Sequence, residues 1–113
     1  MKFSVIPAIL FSFVLAGCGP IQVTPQGATV DFVREEPQGC KLLGKATGSQ
    51  ENSFRGSLSE GDLLQGAKSG LRNKAADMGG NVVYGLSVTN ASAVHGGPIS
   101  SSAVGLVYSC PQR

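Results

Sequence analysis

Helical periodicity between residues 62 and 78 is the strongest constraint on what this chain can fold into. Leu64, Ala67, Leu71, Ala75 and Met78 recur there at spacings of three and four. That period places them on one stripe of a helix. Ser59 stands where an N-cap is expected, with Asp62 three residues on, a weak form of the capping box. Asp62 also complements the positive end of the helix dipole. Gly79-Gly80 supplies a left-handed stop. Gly66 and Gly70 each cost a helix up to about 1 kcal/mol, and close packing of its backbone on a sheet explains them. A lone amphipathic helix cannot bury its stripe on itself. The simplest solution is to lay it over one face of a small sheet.

The rest of the chain supplies the sheet. Residues 28–34 read as a strand, with Val30 and Phe32 on one face and Asp31 and Val33 on the other. Glu35-Glu36-Pro37-Gln38-Gly39 is a turn. Residues 40–46 read as a second strand, on which Leu42 shares the face of Cys40. Residues 81–88 put Val82, Tyr84, Leu86 and Val88 on one face. Residues 103–110 do the same with Val104, Leu106, Tyr108 and Cys110. The stretches 47–61 and 89–102 are small, polar and rich in Gly and Ser, and read as loops. The expected architecture is an α+β domain of order β-β-α-β-β, with one helix on one face of a mainly antiparallel sheet.

The N-terminus is of a different kind. Met1-Lys2 leads an apolar run that ends in Leu15-Ala16-Gly17-Cys18. The run is too short for a membrane span of roughly 20 residues, and Pro7 interrupts it. It reads as a cleaved export signal. The four closing residues resemble the lipobox of bacterial lipoproteins. That resemblance implies cleavage before Cys18 and lipidation of its thiol. Several acyl chains, at about 0.8 kcal/mol per buried CH₂, make a stable membrane anchor. Gly19 stands where aspartate marks retention in the inner membrane, so the resemblance implies an outer-membrane protein facing the periplasm. The expected organisation is a signal peptide at 1–17, a lipidated N-terminus and short tether at 18–27, and a single domain at 28–113.

With Cys18 assigned to lipid, Cys40 and Cys110 remain. In an oxidising compartment such a pair reads as a disulfide. Closing a loop of this length contributes roughly 4 kcal/mol in the chain-entropy model. The other reading of two thiols, a metal site, lacks ligands: the chain has one histidine, His95, and no C-x-x-C.

Composition excludes more than it assigns. The formal net charge is +2, part of it from Lys2, and no basic face points to nucleic acid. No serine sits in G-x-S-x-G, and there is neither G-x-G-x-x-G nor a Walker lysine. His95 has no carboxylate or second histidine at a useful spacing and reads as a loop residue. No catalytic residue, metal site or cofactor is expected. Lys68, Arg72 and Lys74 put positive charge along the helix. Lys68 and Arg72 are i, i+4 neighbours of like sign, expected to be exposed together on a solvated helix face or a docking edge for an acidic partner or anionic headgroups. Asn81 is expected to satisfy backbone groups at the helix end or the following turn.

The run Leu71-Arg72-Asn73-Lys74-Ala75-Ala76-Asp77-Met78-Gly79-Gly80-Asn81-Val82-Val83-Tyr84-Gly85 resembles the signature of the YjeI-like small bacterial lipoproteins. Cys40-Lys41-Leu42-Leu43-Gly44 and Val107-Tyr108-Ser109-Cys110-Pro111 resemble that family's two-cysteine frame. The resemblance covers roughly residues 30–111. It implies a shared domain of unassigned function, with Leu71, Arg72, Asn73, Ala75, Ala76, Gly79, Gly80 and Asn81 as its motif residues. A more distant similarity, to the RcsF envelope-stress lipoproteins, rests on a helix ending in alanines, glycine and asparagine before a strand. Those proteins have four cysteines and a long proline-rich tether. The similarity therefore implies a small α+β fold rather than a sensor role.

The function expected from these readings is that of a lipid-anchored, non-enzymatic interaction or envelope-sensing module. Its partner would be an envelope protein, met at the loops 47–61 and 89–102 or at the basic helix edge. The competing expectation is a module that binds a small ligand, an ion or cell-wall material.

Overall fold

In the computed structural model, residues 19–52, 58–93 and 96–111 are described. They form strands β1 (Asp31–Val33), β2 (Lys41–Glu51), β3 (Val82–Ser92) and β4 (Pro98–Ser109), and one helix, α1 (Glu60–Asp77). A short 3-10 turn, Gly27–Thr29, precedes β1. The sheet order is β1-β3-β4-β2. β1 runs parallel to β3, and the other two pairings are antiparallel. The expected α+β arrangement of one helix on a mainly antiparallel sheet is therefore observed.

The ends of α1 follow the sequence signals. Ser59 Oγ accepts the amide of Asp62, and Asp62 Oδ2 accepts the amide of Ser59, which completes the capping box. At the other end the amide of Gly80 donates to the Ala75 carbonyl and that of Gly79 to Ala76. Gly79 has φ +85. This is a Schellman motif, which satisfies carbonyls that the helix leaves without partners. Leu63, Gly66, Ala67, Ser69, Leu71 and Ala75 are the buried residues of α1. Leu63 takes the buried place expected of Leu64, which is only half-buried, and Met78 stays exposed.

The core joins Val30, Ala46, Ala67, Leu71, Ala75, Val83, Ala103 and Val107. On β4 Val104, Leu106 and Tyr108 share a face as expected, but it is not the face that the helix covers. On β4 the helix sits over Ser101, Ala103, Gly105 and Val107, while Val104 and Leu106 face the other way and are half-buried. Closeness explains the choice. A Cβ on Gly48 of β2 would overlap the Ala67 carbonyl oxygen and the Leu71 amide nitrogen. The helix backbone thus rests almost on the strand backbone, and only the side of the sheet with the smallest residues admits it. On β3 the face changes along the strand. Val83 pairs with Val107, but beyond a bulge between Tyr84 and Ser87 it is Val88 that pairs with Ala103. One extra residue inverts every later side chain, so Val82, Tyr84, Leu86 and Val88 do not share a face.

The strands are also longer than expected at one end and shorter at the other. Residues 47–51 extend β2, and most of 89–102 forms the outer half of the β3–β4 hairpin. Thr89, Ser102 and Ser49 stand side by side across the three strands, and the two serine hydroxyls lie 3.3 Å apart. Their pairing is polar and leaves no apolar alternation to read. β1 by contrast keeps only three of the seven residues expected.

Cys40 and Cys110 form a disulfide between the start of β2 and the end of β4. Asn81 does not serve the helix end. Its Nδ2 donates to the Cys110 carbonyl at 3.0 Å, and its Oδ1 accepts the Cys110 amide at 2.8 Å. The side chain acts as a short piece of strand that continues the ladder before the start of β3 and past the end of β4.

Candidate functional site

β1 ends at Val33, where the turn through Glu35, Glu36 and Pro37 carries the chain away. β3 runs on to Ser92. Beyond Tyr84 it has, among the described residues, no neighbour on the β1 side. At the step between the two strands lies a notch of about 510 Å³, lined by Phe32, Val33, Arg34, Lys68, Gly85 and Leu86. The bulge helps to shape it: Gly85 has φ +73, and the shifted Leu86 turns toward the core edge beside Phe32.

Cations surround this apolar floor. The Arg72 guanidinium carbon lies 4.5 Å from the centroid of the Phe32 ring, and Lys68 Nζ lies 5.7 Å from it. Both distances fit cation–π contact. Lys68 and Arg72 are therefore half-buried over an aromatic ring, not exposed together on a solvated face. Arg72 Nε is buried with no hydrogen-bond partner among the described residues. Arg34 also borders an adjoining hollow that carries Glu35 and Glu36. The notch can thus take an apolar group with a negative charge at its rim.

Along β3 the register with β4 is regular from Ser87 to Ala91. Residues 87–92 are all exposed, including Val88 at 37%. Residues 85–92 contain no charged residue and no proline.

The segment before the domain is not loose. The Ile21 amide donates to Gln50 Oε1 at 2.6 Å. The Thr24 amide donates to Asn73 Oδ1 at 2.8 Å, and Asn73 Nδ2 donates to the Gln22 carbonyl at 3.0 Å. Residues 21–24, expected to be part of a free tether, lie as a strap against the helix layer. Sequence reasoning also missed Asn52. Its Nδ2 donates to the carbonyls of Leu58 and Pro98, and its Oδ1 accepts the Leu58 amide. Each of these asparagines stands beside Gly-, Ser- or Pro-rich chain that lacks a ladder partner of its own.

Residues 21–110 match the family model described as "Domain of unknown function (DUF4156)". The chain belongs to this family. It is 39% identical over 104 residues to "Uncharacterized protein YjeI" of Escherichia coli (strain K12), which covers 88% of this chain and 89% of that protein. The protein of the same description from Shigella flexneri matches to the same extent. No solved structure matches. The YjeI-like family resemblance is thus shown.

Most of the motif residues have folding roles. Leu71 and Ala75 are core, and Ala76 packs against it. Asn73 holds the strap, Gly79 ends the helix, and Asn81 holds Cys110. A Cβ on Gly80 would overlap the Val107 side chain. Arg72 is the motif residue that reaches the notch, through Phe32. Cys18 and His95 lie outside the described residues. Among those described, no group of three His, Cys, Asp or Glu is placed to hold a metal, and no helix is long and apolar enough to cross a membrane.

Proposed function

We propose that this protein is a lipid-anchored lipoprotein of the bacterial outer membrane, and that its domain is a non-enzymatic interaction module for another envelope protein. The observation that carries this reading is the open edge of β3, an uncharged strand that continues past the end of its neighbour and borders a cationic notch. Exposed edges of this kind are templates for pairing with another chain. The strap supports the anchor side of the proposal. Only Gly19 and Pro20 separate the lipidated cysteine from Ile21, three residue steps on, where the first bond to the domain is made. Three residues span at most about 10 Å, so the domain works against the membrane surface.

Site-specific photo-crosslinking in intact cells tests the proposal. A crosslinker at Thr89, on the open edge, should capture a protein partner. One at Thr47, on β2, should not, and Cys18→Ser should abolish the capture by releasing the protein from the membrane. Equal capture from both positions, or none from Thr89, would count against the module.

A further inference from the structure

We propose that the partner contributes an extended acidic segment, which adds to the sheet as a strand beside residues 87–91 and places a carboxylate in the notch between Arg34 and Lys68. This deepens the interaction-module reading and rests on it. Among the described residues the lane next to β3 is vacant from where β1 stops, so an incoming strand would continue the line of β1. Main-chain hydrogen bonds along the regular run from Ser87 to Ala91 would give affinity, and the notch would select the side chain at its end. The floor of Phe32, Val33 and Leu86 accepts the carbon chain of a glutamate or aspartate, and Arg34 and Lys68 meet its charge.

Charge complementarity decides between possible occupants. A second copy pairing edge to edge would bring its own β3–β4 hairpin to the notch. From Asn81 to the end of the chain there is no Asp or Glu, so that hairpin has no carboxylate to offer. An anionic lipid headgroup could meet the cations but has no use for an open strand edge.

Panning a random dodecapeptide display library against the full-length lipidated protein in detergent tests the proposal. The expected selection is of β-prone peptides carrying Asp or Glu. Synthetic copies should bind about tenfold or more weakly to Arg34→Glu and Lys68→Glu, the effect of reversing a charge in a close pair. N-methylation of alternate peptide amides should abolish binding because it removes the ladder hydrogen bonds. That arm alters only the peptide and needs no folded variant of the protein. Selected peptides without acidic bias, or binding that survives N-methylation on both alternations, would overturn the proposal. So would the absence of any selected peptide together with charge-dependent binding to phosphatidylglycerol vesicles, which would reassign the notch to lipid. Crosslinking from Thr89 in cells alongside a non-acidic selection would reject this inference and leave the interaction module standing.

Discussion

The two open edges of the sheet, β2 on one side and the length of β3 that runs past β1 on the other, are built to opposite ends. β2 lies under the helix, its backbone at Gly48 close against Ala67 and Leu71. Its start is covalently tied to β4 through Cys40–Cys110. Its exposed residues include Lys41, Lys45 and Glu51, and a bulge between Leu42 and Gly44 distorts its register. Charge and bulging are the devices that keep an edge from pairing with strangers. The outer half of β3 has no charge, keeps an even register from Ser87 to Ala91 between its two irregularities, and has no buried residue beyond Val83. One side of the sheet has been given to stability and protected. The other has been left open, and its cost in exposed backbone is what a docking function would require.

If that division holds, the largest effects on stability belong to the β2 side. Replacing Cys40 and Cys110 by serine removes a crosslink spanning 70 positions. The loss should be about 4 kcal/mol, read as a lower urea midpoint of the full-length protein against the same protein with its disulfide intact. A loss under about 1 kcal/mol would mean that the β2–β4 ladder holds that end without it.

Gly48→Ala should come next. The new methyl would meet backbone on both sides of the α1 turn rather than a side chain that can swing away, and overpacking of this kind costs about 3 kcal/mol. The readout is again the urea midpoint. A neutral result would show that the helix can lift off β2, and the contrast between the two edges would then rest on charge alone.

The readable and unreadable parts of this chain divide for physical reasons. The helix, its caps, the disulfide and the element order were carried by local chemistry: a 3.6 period, a Ser59–Asp62 box, a double glycine, two remaining cysteines. The lengths of β2, β3 and β4 were not, because Ser49, Thr89 and Ser102 pair across strands without any apolar alternation to betray them. The face of β3 is misread because a bulge between Tyr84 and Ser87 breaks the count of two. The chosen side of β4 is fixed by how near the helix must come, a property of Gly48 and Gly105 rather than of the larger Val104 and Leu106. The notch has no signature of its own. Lys68 and Arg72 could be placed on one helical face from their spacing, but Phe32 lies 36 and 40 positions away in sequence and reaches them only through the parallel pairing of β1 with β3.

The smallest expected effect is on the open edge itself. Thr89 is exposed on the part of β3 that has no neighbour on one side among the described residues. Thr89→Lys installs there the kind of guard that Lys45 provides on β2. Surface changes away from packed or bonded features stay within about 0.5 kcal/mol, so the urea midpoint should hardly move. The same substitution should nonetheless weaken capture of a partner in cells, because a charged side chain on an edge disfavours an added strand. Stability and binding should therefore separate at this position, as they should not at Gly48. A drop in stability of 1 kcal/mol or more, by contrast, would show that the edge is already covered in the free protein. β3 would then belong with β2 among the protected strands, and the asymmetry between the two edges would disappear.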